Sequence, residues 1–141
     1  MGIKGRAVAK PAGARDLGAT LYELEPGASG FNLHAHYANE ELFVVLSGKP
    51  TLRTLDGEQE LEPGDVVACP TGRDGTHTIA NRSAERVRIL AVSTTRWPEV
   101  VIYPELDTVG VATRPPFEPV PEGSDEGIVG LFDRSANTRR A

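Results

Sequence analysis

Three side chains in this chain have the chemistry of metal ligands at a suggestive spacing. His34 and His36 sit two apart in a segment that reads as a strand, so both rings leave the same face of the sheet. Glu41 follows shortly, after Ala38-Asn39-Glu40, a stretch that can turn the chain and bring a carboxylate back to the same point. His77, from a distant strand, is the third and last histidine of the chain. Three neutral imidazoles and one carboxylate make a mixed nitrogen and oxygen set, suited to Fe, Mn, Ni, Cu or Zn as the divalent ion rather than to Ca or Mg. Around an ion that prefers about six ligands, such a set leaves positions open for a substrate or for dioxygen. An isolated H-x-H is commonly no more than two half-buried rings. Here every histidine of the chain would be used at one place.

The elements that must position these groups are short strands. No long stretch holds an apolar period of 3.6, so no long helix is expected. Strand-like runs cover Ala19 to Glu25, Phe31 to His36, Glu41 to Leu46, Thr51 to Leu55, Glu58 to Glu62, Val66 to Cys69, Thr76 to Ala80 and Arg86 to Val92. Gly and Pro together make 26 of 141 residues, above a typical share of roughly 12%, and they fall between these runs as turns should. Asp56-Gly57 reads as a two-residue hairpin loop, and Glu62-Pro63-Gly64-Asp65 as a second tight turn. Many short strands separated by turns indicate an all-β, antiparallel sandwich or barrel. Residues 1–112 are expected to form it. The rest, 113–141, differs: Thr113 to Gly127 is rich in Pro and acidic residues and reads as an extended strap or linker. The apolar Ile128 to Phe132 is expected to dock on the barrel or a partner subunit, and Asn137 to Ala141 to fray.

Composition excludes several classes. Fifteen Lys and Arg against twenty Asp and Glu give a net charge of −5, which provides no basic footprint for nucleic acid. The longest unbroken apolar run, Leu42 to Leu46, is far short of the roughly 20 residues of a membrane-spanning helix. The N-terminus shows no apolar core of a signal peptide, and the single cysteine, Cys69, fits a reducing compartment. The cytoplasm is the expected location.

The segment from Gly30 through His34-Ala-His36 and Glu41 to Gly48 resembles the first motif of the cupin superfamily: H-x-H, four residues, Glu, six residues, Gly. Gly64, five residues, Pro70-Thr-Gly72, then His77, three residues and Asn81, resembles the second. The part from Ala91 to Gly110 is similar to a group of small bacterial single-domain cupins (type 2), some of them labelled sugar-phosphate isomerases. The resemblance implies a double-stranded β-helix, the jelly-roll cupin barrel, with His34, His36, Glu41 and His77 as ligands of one divalent transition metal ion. Two departures stand out. The loop from Gly72 to His77 is longer than the family pattern, and the glycine expected ahead of His34 is displaced to Gly27 or Gly30. Glu40 is the competing carboxylate, but Glu41 keeps the spacing to Gly48.

The remaining candidates are weaker. Glu40 and Tyr37 are the residues near the ligands that could act as a catalytic base. Arg53, Phe43 and Asn81 are candidates for a substrate pocket, although Arg53 reads more readily as a solvated outer-face residue and Asn81 as a turn-forming or strand-ending one. Tyr22 and Trp97 could line a pocket mouth or pack the core. Cys69 reads as a small core hydrophobe. The leading functional expectation is a metal-dependent enzyme, of oxygenase or isomerase/epimerase type, acting on a small polar metabolite held in the barrel. The alternative is a non-catalytic binding or sensing module, and a storage-type barrel with an empty site is the third reading. The resemblance also implies a homodimer; the expected partner is a small molecule, with no nucleic acid and no membrane.

Overall fold

The computed structural model describes residues 2–114, 122–123 and 129–134. It is an antiparallel all-β structure. Its strands are β1 (Ile3–Ala7), β2 (Leu17–Leu24), β3 (Ala35–His36), β4 (Glu41–Ser47), β5 (Thr51–Thr54), β6 (Gly57–Glu60), β7 (Val66–Cys69), β8 (His77–Ala80), β9 (Val87–Thr94), β10 (Glu99–Tyr103), β11 (Thr108–Ala112) and β12 (Val129–Asp133). No helix among the described residues is long and apolar enough to cross a membrane.

One wall is a five-stranded sheet in the order β1-β2-β9-β4-β7. The opposite wall comprises a three-stranded sheet, β6-β5-β8, and a four-stranded sheet, β12-β11-β10-β3. These two are stitched together by the chain at 34–36: His34 exchanges backbone hydrogen bonds with His77 of β8, at 3.1 and 2.9 Å, while Ala35 and His36 pair with Ile102 and Val101 of β10. The three histidines therefore lie on the seam, and Glu41 faces them from β4 of the five-stranded wall.

The core follows from the two-residue period of the strands. In β9 Val87, Ile89 and Ala91 are buried while Arg88 is exposed. Phe43 and Val45 of β4 face the same interior, together with Leu24, Leu52, Leu61, Cys69 and Ile79. The turn at 62–65 forms as expected, with Asp65 N–H donating to the Glu62 carbonyl and Glu62 N–H to the Asp65 carboxylate.

Several expected boundaries move. Phe31 to His36 is a strand only at Ala35–His36. Gly30 has φ +78°, and any Cβ there would overlap the Ile79 carbonyl, so the chain turns tightly across β8 before straightening. The hairpin after β5 closes one residue earlier than Asp56-Gly57: Thr54 pairs with Gly57, leaving Leu55 and Asp56 as the loop. The strands β1, β10 and β11 lie outside the runs that the sequence marks as strands. β12 extends the sheet edge at β11 and leaves Leu131 and Phe132 exposed. Of the segment read as a strap, residues 115–121 and 124–127 lie outside the described residues, as do Ile128 and the terminal residues 137–141.

Ile89 is 2% exposed, in the central β9 and between both walls. Ile89→Ala is expected to lower unfolding free energy by about 2–5 kcal/mol, measured by urea titration.

Candidate metal centre

His34, His36 and Glu41 offer ligand atoms that all lie within 4.8 Å of one another. Parity along the strands explains it. His34 and His36 share one face of their segment, and Glu41 shares the inner face of β4 with Phe43 and Val45. His77 comes to the same point from β8. Its Nε2 lies 3.1 Å from Glu41 Oε2, and His36 Nε2 lies 3.2 Å from the same oxygen. The ring centroids of His34 and His77 are 4.7 Å apart, and those of His34 and His36 are 4.9 Å apart. The long loop before His77 does not displace it, because Arg73–Gly75 takes up the extra length as a single 3₁₀ turn and the paired backbone bonds to His34 hold the ring in place.

The outward side of each ring matters as much as the inward side. His34 Nδ1 is 2.7 Å from the Asn32 carbonyl, His77 Nδ1 is 2.8 Å from the Gly75 carbonyl, and His36 Nδ1 faces Glu99 Oε2 at 3.5 Å. An oxygen behind Nδ1 keeps the proton there and leaves the Nε2 lone pair for the cluster. Glu41 Oε2 is buried and carries no hydrogen bond of its own. The ring nitrogens of His34 and His36 and the buried Glu41 carboxylate, with His77 Nε2 beside that carboxylate, are the donor types that a divalent transition metal ion needs. The cluster could hold one.

The other sequence candidates are placed elsewhere, except Phe43, whose ring centroid is 5.0 Å from that of His77. Glu40 is exposed, because the residue before an inward Glu41 points outward. Tyr37 is half-exposed and lines a small cavity with Ala35, Arg73 and Ile102, on the face opposite His34 and His36. Arg53 pairs in register with Thr78, whereas Thr54 pairs with His77, so Arg53 lies on the outer face of the sheet. It forms an ion pair with Glu105 across a separate cavity. Asn81 is fully buried, but its amide is committed to the carbonyls of Leu24 and Glu85 and to Ser83.

Sequence reasoning missed Glu99 and Tyr103. Tyr103 is half-buried, with its ring centroid 6.0 Å from that of His34. Both sit on β10, and nothing local marks a β10 that pairs with a two-residue strand far upstream.

The sequence matches the cupin domain family over residues 20–93. No curated protein matches it. Among solved structures, a sugar phosphate isomerase from a cupin superfamily, of Silicibacter pomeroyi, is similar at 28% identity, with 84% of this chain and 80% of that chain covered and a TM-score of 0.75. A candidate sugar phosphate isomerase from Acidithiobacillus ferrooxidans is 27% identical over 99% of this chain and 80% of its own, with a TM-score of 0.79. A polyketide cyclase from Streptomyces resistomycificus is 25% identical over 70% of this chain and 69% of its own, with a TM-score of 0.58.

Electrostatics divide the three rings. Burial and the neighbouring His77 push His34 down to about 4. Burial also opposes charge on His36 and His77, but Glu41 and Glu99 outweigh it for His36, which rises to about 9. Cys69 and Glu41 outweigh it for His77, which rises to about 10. Burial works against ionised Glu41, yet His36 and His77 hold its carboxyl well below the usual range. Raised rings stabilise the metal-free fold fully below their ordinary value of 6.5, and that contribution is lost as pH climbs through 9 to 10. The depressed carboxyl contributes above its ordinary 4.5 and fails below it. The metal-free protein is therefore expected to show a thermal midpoint that falls between pH 6.5 and 10, measured by circular dichroism melts. A bound divalent cation should abolish that fall, because it takes the place of the ring protons.

Proposed function

Because this chain belongs to the cupin domain family, we propose that it is a mononuclear metal-dependent enzyme acting on a small polar metabolite. His34, His36, Glu41 and His77 hold one divalent transition metal ion. The observation that supports this most directly is the orientation of the rings, each with an oxygen behind Nδ1 and its other nitrogen left for the cluster. When bound, the ion supplies a Lewis acid for a substrate carbonyl or hydroxyl, or a redox centre.

The chain's own residues contribute the rest. One carboxylate among neutral imidazoles leaves a divalent site net positive, which attracts an oxygen ligand of the substrate. Phe43 and the partly buried Tyr22 keep the inner side apolar. Burial, joined for Tyr22 by the Glu41 charge, raises the phenols of Tyr22 and Tyr103 above their ordinary 10.0, so both keep a proton at neutral pH. They can donate hydrogen bonds to a bound metabolite.

Isomerase or epimerase chemistry is the favoured branch, supported by the names of the relatives from Silicibacter pomeroyi and Acidithiobacillus ferrooxidans; oxygenase chemistry is the other. A second reading, a binding module in which the ion anchors a ligand without turnover, is favoured by one observation: Glu40 and Tyr37 both lie away from the cluster.

A homodimer belongs to the same proposal. The outer face of the five-stranded sheet carries two adjacent apolar rows in register, Leu21-Leu90-Val44-Val66 and Ala19-Val92-Leu42-Ala68. Val66 is 58% exposed and Leu42 36%, and a face of this kind marks an association surface. Sedimentation at micromolar concentration is expected to give the dimer mass; a monomer mass would refute it.

Elemental analysis of the purified protein is expected to find about one equivalent of Fe, Mn, Ni, Cu or Zn per chain, lost in His77→Ala. Absence of metal after anaerobic reconstitution with each ion would overturn the proposal. Turnover of sugar phosphates, keto acids or phenolics by the loaded protein separates the enzyme from the binding module, which would bind without turnover.

A further inference from the structure

Glu99 opens β10, beyond the part of the chain that matches the cupin domain family. It is only 3% exposed, and a buried carboxylate persists only where donors meet both oxygens. Oε1 accepts the N–H groups of Tyr37, Ala38 and Val100 at 3.1, 2.9 and 3.0 Å. Oε2 accepts the Asn39 side-chain amide and faces His36 Nδ1 at 3.5 Å. One carboxylate thus grips four consecutive residues, His36 to Asn39, within the short piece of chain that connects His36 to Glu41. Asn39 is tied down in turn by the backbone of Arg96 and the Thr94 hydroxyl.

His36 differs from its two companions in what stands behind it. Backbone carbonyls hold Nδ1 of His34 and His77. For His36 the carbonyl two residues back is that of His34, which accepts the His77 N–H, and its own carbonyl accepts the Gly72 N–H, so its Nδ1 is buried without a hydrogen bond. The acceptor that faces this nitrogen is Glu99. A carboxylate behind a ligand imidazole fixes its tautomer and orientation and makes the other nitrogen a better donor to a metal.

We infer that Glu99 is the positioning residue of this metal centre, holding the Nδ1 proton of His36 so that Nε2 faces the ion and fixing the 37–39 backbone that delivers Glu41. The inference rests on the metal reading above. It makes β10, outside the matched family domain, a working part of the site.

The test is the affinity of the full chain for Zn²⁺ and Mn²⁺, by competition with a chelator, alongside circular dichroism melts. The variants are Glu99→Gln, Glu99→Asp, His36→Ala and the double variant Glu99→Gln/His36→Ala. Glu99→Gln is expected to bind about 10–100-fold more weakly, and Glu99→Asp, which keeps the charge one bond further back, to recover part of the loss. In the His36→Ala background the Gln change should cost clearly less, because only the hold on the 37–39 backbone is left to lose. A purely structural role would give the same loss in both backgrounds and would overturn the inference. So would a Gln variant that binds as tightly as the wild-type chain. If Glu99→Gln does not fold, Glu99→Asp carries the test, and unaltered affinity there overturns it equally. Failure of the wild-type chain to bind either ion would sink the metal reading itself, a result distinct from wild-type binding with no effect of Glu99.

Discussion

Everything at the centre of this barrel depends on one requirement: imidazole rings and a carboxylate must point inward at a single place in an otherwise apolar core. Inward-pointing polar atoms are stable there only if each side chain is held from behind and the converging charges answer one another. Two rings are held by backbone carbonyls, of Asn32 and Gly75. Those carbonyls belong to the turns that precede the ligands, so the loops around Gly30 and Arg73–Gly75 are parts of the site and not connectors alone. The third ring has only a side chain, Glu99, behind it.

The same requirement accounts for the unusual seam in the wall. A strand of two residues has no independent stability. Ala35–His36 exists because β10 lies on one side of it and the His34–His77 backbone pair closes the other. Ligand placement and sheet closure are one event here. Disturbing the pairing moves His34, His36 and His77 together.

Much of this was visible in the residues. The pair His34 and His36, the spacing to Glu41 and the isolated His77 mark the cluster because metal ligands must come from a few residue types at a fixed parity. The turns at Gly64 and the alternation of Val87, Ile89 and Ala91 mark the barrel for an equally local reason. What failed was whatever depends on register between distant strands. Arg53 and Tyr37 are of suitable type and close in sequence to the cluster, yet pairing turns both to the other face. Asn81 keeps its place in the motif, but its amide serves the turn to Glu85.

Glu99 shows the limit most clearly. A glutamate after Trp97-Pro98 carries no local mark of a role, since its meaning comes only from Tyr37, Ala38 and Asn39, some sixty residues earlier. Carboxylates are rarely buried this deeply unless paired, so its burial is itself the signal. The physics of such a residue also bears on why β10 and β11 complete the wall. Without them the 36–39 segment would keep its sequence spacing but lose the acceptors, the Glu99 carboxylate and the Val100 carbonyl, that set its shape. Spacing alone brings His36 and Glu41 near each other; the buried carboxylate behind them decides whether they point at the same spot.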